Sequence, residues 1–84
     1  MLALVITRRA NKDLQWLPAE DRGRVVRRVD AYVAEPDAPH HDIRRLVGTD
    51  ALFRLRAGDW RVIFERVDDT MTVLRVQHRR EAYR

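Results

Sequence analysis

The chain has 84 residues, no cysteine and a formal net charge of +4 with its histidines neutral. That length suits one small domain over residues 1–84, with a core near the lower limit for folding alone. The lack of cysteine excludes disulfide frameworks and thiol catalysis and fits a cytoplasmic protein, and no run is long or apolar enough to span a bilayer.

Residues 1–6 (MLALVI) are apolar and are followed at once by Arg8 and Arg9. A secretory signal has its positive charge first, so this run reads as a first strand over residues 2–6. Thr7 is placed to cap a helix over about residues 8–17, where Ala10, Leu14 and Leu17 recur at helical spacing. Trp16 follows that stripe and reads as packing. Pro18 ends this helix and suits the first turn of a second, over about residues 19–34. Val25, Val26, Val29, Tyr32 and Val33 give its buried stripe, and Glu20 and Asp21 favour its positive end. Arg22, Arg24, Arg27 and Arg28 read as a solvated face with local ion pairs.

Glu35 and Pro36 stop that helix, and Pro39, His40, His41 and Asp42 belong to a loop. Neighbouring histidines do not converge on one ion, and no further ligand has suitable spacing, so no metal is expected. Gly48 supplies a turn. Residues 52–57 and 60–65 then alternate about Gly58-Asp59, the pattern of a two-residue β-hairpin. Ala57 should oppose Trp60, Arg56 oppose Arg61, Leu55 oppose Val62 and Arg54 oppose Ile63. Phe53, Leu55, Ala57, Trp60, Val62 and Phe64 then share a core face, and Arg54, Arg56 and Arg61 share the other. Like charges facing each other across a ladder cost stability, so an anion is expected there. A turn at Asp68-Asp69 leads to a last strand over residues 71–78. The order β-α-α-β-β-β implies an α+β fold, two N-terminal helices packed on one face of a small antiparallel sheet.

Charge is unevenly spread. Residues 1–43 hold seven basic and seven acidic side chains, whereas residues 44–84 hold ten arginines against six acids. Arginine recognises phosphate in a planar, two-pronged way, so the second half suggests a nucleic acid or an acidic protein segment as partner.

Gly48, the run from Phe53 through Arg54, Leu55, Arg56, Gly58, Asp59, Trp60, Arg61, Val62, Ile63 and Phe64 to Glu65, and the C-terminal Val73, Leu74, Val76, His78, Arg79, Arg80, Glu81, Tyr83 and Arg84 together resemble the RelE/ParE superfamily of bacterial toxins. The RelE branch is the closer match, over nearly the whole chain. The resemblance implies a RelE-like fold and a toxin of a type II toxin–antitoxin pair that cuts mRNA in the ribosomal A site. It also implies a cognate antitoxin, with an acidic segment that folds on binding. The family's basic pair on one strand falls on Arg54 and Arg56, its next arginine on Arg61, its arginine after the last strand on Arg79, and its C-terminal aromatic on Tyr83. Arg80 joins Arg54 and Arg56 as a backbone-docking cation.

The implied chemistry is metal- and cofactor-free transesterification by the RNA's own 2′-hydroxyl, with Arg61 and Arg79 clamping the phosphate. Better-known members carry lysines where this chain has Arg54 and Arg56. Arginine stays protonated and makes a poor base, so the acid/base role passes to His78. A two-residue turn at Asp68-Asp69 would put His78 on the arginine face. Tyr83 would stack on a base or orient the hydroxyl. The alternative is a ParE-like toxin that inhibits DNA gyrase by binding, without cutting RNA.

Overall fold

The computed structural model describes residues 1–82. Thr7 organises the first turn of the fold. Extended at φ −67° and ψ 160°, it accepts from the Ala10 amide and starts helix α1 (Arg8–Trp16), after strand β1 (Ala3–Ile6). Its hydroxyl also donates to the Val73 carbonyl at 2.8 Å, tying the helix start to the last strand. Helix α2 (Ala19–Ala34) follows after Pro18. Arg22 does not merely sit on a solvated face. Its guanidinium donates to the carbonyls of Leu14 (2.9 Å), Gln15 (3.4 Å) and Leu17 (3.0 Å), covering the carbonyl end of α1, where Leu14 also accepts from the Leu17 amide.

The remaining elements are β2 (Ile43–Arg45), β3 (Leu52–Ala57), β4 (Trp60–Val67), β5 (Thr70–His78) and the short α3 (Arg79–Ala82). Five strands form one sheet in the order β1-β5-β4-β3-β2. The α+β class and the paired helices agree with the sequence reading, but the sheet is mixed. Strand β1 runs parallel to β5, which two intervening helices make possible by carrying the chain back across the layer. Strand β2 is an addition: three residues, Ile-Arg-Arg, are too short to show an alternating pattern.

Leu55, Val62, Phe64, Met71 and Val73 from the sheet meet Val25, Val29 and Tyr32 of α2 and Ala10 of α1 in the core. Two helix residues that the sequence reading assigned to packing are not in it. Val26 is 42% exposed and Trp16 is 85% exposed. Beyond the end of β1 the edge of β5 is covered by α1. Asp13 accepts there from the Val76 amide and from Arg75 Nε, both at 2.9 Å.

The β4–β5 turn contains a local strain. Asp68 has φ 54°, a left-handed conformation that costs an L-residue about 1–2 kcal/mol and glycine almost nothing. Asp68→Gly is therefore expected to stabilise the protein by up to about 1 kcal/mol after the added chain entropy of glycine, read as a higher urea midpoint at constant slope.

Candidate functional site

The site begins with the β3–β4 turn. Gly58 has φ 64° at the first central position, where a glycine is needed for the tight hairpin turn that the strand twist favours. The ladder then pairs Ala57 with Trp60, Arg56 with Arg61, Leu55 with Val62 and Arg54 with Ile63, the register anticipated from sequence. Leu55, Ala57, Val62 and Phe64 are buried toward the helices. Arg54, Arg56 and Arg61 consequently lie on the face turned away from them.

The neighbouring strands widen this set. Arg44 of β2 pairs with Arg54, and Arg75 and Gln77 of β5 pair with Ile63 and Arg61. One row across the sheet reads Arg44, Arg54, Ile63, Arg75, and the next reads Arg56, Arg61, Gln77. Asp42, Arg44, Arg54, Arg56 and Arg61 line a concavity of about 230 Å³. Arg44 and Asp42 were missed in the sequence because β2 was not recognised as a strand.

Arg61 forms the floor. It is 6% exposed, and one terminal nitrogen donates to the carbonyls of Gly58 (2.8 Å) and Trp60 (3.1 Å). Its Nε is buried without a hydrogen-bond partner among the described residues. A buried cation held only by neutral carbonyls is under-compensated, so an anion entering the concavity would lower its free energy. The carboxylate of the concavity, Asp42, stands beside Arg56 and not on Arg61. The Arg56 guanidinium is 3.9 Å from the Asp42 carboxylate, and both side chains are about half exposed. The backbone bond from the Arg56 amide to the Asp42 carbonyl, at 2.9 Å, holds Asp42 at the rim.

Arg79 sits at the turn end of the sheet rather than in the concavity. Its amide donates to the Asp59 carbonyl at 2.7 Å, and its guanidinium lies 3.8 Å from the Asp59 carboxylate. Arg80 is exposed on α3, where its amide donates to His78 Nδ1 at 3.4 Å. Tyr83 lies outside the described residues.

His78 is on the other face. The turn at Asp68-Asp69 does pair Val67 with Thr70, and the register holds through Phe64 and Val73. It then shifts, so that Ile63 pairs with Arg75 and Trp60 with His78. Leu74 is the extra residue of a β-bulge, and one added residue reverses the facing of everything beyond it. His78 meets Trp60 edge-on at 5.3 Å instead of joining the arginines. The signal was in the sequence: Val73, Leu74 and Val76 break the alternation where the bulge occurs.

Hairpin, helix pair and arginine face together define a small α+β protein with a concave cationic face. The family model described as the ParE toxin of type II toxin–antitoxin systems, parDE, matches residues 4–83. Among solved structures, the RelB–RelE antitoxin–toxin complex of Methanococcus jannaschii matches with a TM-score of 0.79 and 25% identity, over 94% of this chain and 94% of that one. The RelE–RelB complex of Pyrococcus horikoshii OT3 matches with a TM-score of 0.77 and 30% identity, over 93% and 94%. The isolated RelE toxin of E. coli shares the fold, with a TM-score of 0.74 and 18% identity over 99% and 96%. No curated protein sequence matches the chain significantly. The chain belongs to the RelE/ParE superfamily of type II toxins, on its RelE-like branch.

Proposed function

We propose that the protein is a metal-independent endoribonuclease that cuts mRNA in the ribosomal A site and is neutralised by a cognate antitoxin. The observation that carries this reading is the buried, under-compensated Arg61 beneath a ring of arginines. A phosphodiester seated there would bring the Arg61 Nε its missing acceptor, and charge growing on the phosphate would strengthen that contact. The 2′-oxygen attacks the adjacent phosphorus, the bond to the 5′-oxygen breaks, and the products are a 2′,3′-cyclic phosphate and a 5′-hydroxyl. Arg44, Arg54 and Arg56 hold the backbone, while Arg79 and Arg80 extend the cationic field at the turn end.

Asp42, the carboxylate among the described residues lining the concavity, is the group we assign to take the 2′-hydroxyl proton. Tyr83 is assigned to return a proton to the 5′-oxygen. His78, turned against Trp60, has no part in this arrangement. His78→Gln is accordingly expected to keep growth arrest and mRNA cleavage within about threefold of wild type, far less than the roughly 10²-fold loss for a general acid or base. Asp42→Asn should lose cleavage by about that larger factor.

The antitoxin is expected to lay an acidic segment over the arginine face. The RelB–RelE pairing of the matched structures supports such a partner. The ParE description of the matched family model favours a second reading, inhibition of DNA gyrase by binding alone. Primer extension on cellular mRNA after induction decides between them. Breaks inside codons support the nuclease, whereas intact transcripts with stabilised gyrase–DNA breaks overturn it.

A further inference from the structure

Helix α1 carries a second cationic surface, outside the concavity. Arg8, Arg9, Lys12, Asp13 and Trp16 line an open hollow on its outer side. Trp16 is 85% exposed, an expensive placement for the largest apolar side chain. Its neighbours run against local stability too. The first turn of α1 holds no acidic residue, although a helix start favours negative charge. Asp13, the carboxylate in the hollow, is engaged by Arg75 Nε and the Val76 amide at 2.9 Å, and reaches Arg9 only at 3.9 Å. Departures from local rules of this kind mark surfaces kept for binding.

The two cationic surfaces are continuous. Arg75 pairs with Ile63, in the row of Arg44 and Arg54, and its guanidinium meets Asp13 of α1. Arg75, paired with Asp13, therefore joins the row of the arginine concavity to the hollow of Arg9, Lys12 and Trp16 across the edge of β5 that α1 covers.

We propose that the α1 surface is a platform for single-stranded RNA, taking the continuation of the strand whose phosphate occupies the concavity, with an unpaired base stacked on Trp16 and its phosphates on Arg8, Arg9 and Lys12. This rests on the nuclease reading above and adds where the rest of the strand lies. Base stacking on an aromatic flanked by cations suits single strands of any sequence. The other residues of this hollow are all charged, which favours a polyanion there. On its other side Trp16 also borders Leu17, Trp60 and Val76, so a protein segment is the competing occupant that the test must separate. A separate apolar groove lies between β1 and α2, lined by Leu4, Ile6, Val26 and Val29.

The test uses uncleavable 2′-O-methyl oligouridylates of about 4 and about 12 nucleotides, titrated by anisotropy at fixed salt. The longer probe is expected to bind about tenfold tighter than the shorter one, and Trp16→Ala, on an exposed side chain, should erase most of that advantage. Lys12→Gln should lower the salt dependence for the long probe and leave the short one unchanged. An advantage that survives Trp16→Ala overturns the platform. So does polyglutamate displacing the long probe from wild type while Trp16→Ala has no effect, which assigns the surface to an acidic protein segment. Intact cellular transcripts beside Trp16-dependent binding would overturn the nuclease reading and leave the platform standing.

Discussion

Arg61→Lys is expected to abolish growth arrest on induction, with a loss of cleavage of about 10²–10³-fold, while the protein remains folded. The magnitude is that of removing one donor aimed at charge formed in a transition state. Lysine keeps the positive charge and can still donate to the Gly58 or Trp60 carbonyl that Arg61 now holds. It cannot also present a second, fixed donor, because its ammonium is a point charge and not a planar fork. The orphaned Nε is therefore the group being tested. Thermal denaturation and mRNA primer extension on the same variant check the two halves of the expectation. Retained cleavage would mean that charge alone suffices and that the buried geometry of Arg61 does no chemical work. A collapse in Tm would instead mark Arg61 as a brace for the hairpin turn.

Phe64→Ala should cost about 3–5 kcal/mol, the largest single loss expected in the core. Phe64 is fully buried on β4, with the ring of Phe53 stacked at 5.6 Å and that of Tyr32 tilted at 5.4 Å. Truncation removes the surface shared by β3, β4 and α2 at once. For a domain of this size total stability is about 4–13 kcal/mol, so a large share of it goes with one ring. A fall in Tm on the order of 20 °C is expected. A change of only a few degrees would show that Tyr32 and Phe53 can close over the gap.

The hairpin was legible because two independent signals coincided there, strict alternation and a glycine at the turn. They fixed which arginines share a face and which residues enter the core. Signals that depend on one residue were harder to use. Leu74 looks like an ordinary apolar strand residue, and its insertion moved His78 away from the arginines while bringing Arg75 and Gln77 to them. Strand β2 left no pattern in three residues, so Arg44 and Asp42 could be gathered only by the fold. Arg22 reads as one more surface arginine until the carbonyls of α1 are seen beneath it. Trp16 is six residues from Ala10 and two from Leu14, spacings that put it on the far side of a helix from them, and it faces water.

Leu74 also determines what the arginine face can become. Were it drawn into the ladder opposite Ile63, Val76 would turn outward beside Arg61 and Gln77 would turn in beneath the helices, exchanging a methyl-lined seat for an unsatisfied amide. The chain cannot drift to that alternative while Val76 lies only 3% exposed in the apolar layer. A single-residue frameshift, guarded by the interior, thus selects which side chains of the last strand join the arginine face. Deleting Leu74 would remove the bulge and keep Gln77 opposite Arg61, whereas a ladder running straight through it would set Val76 there.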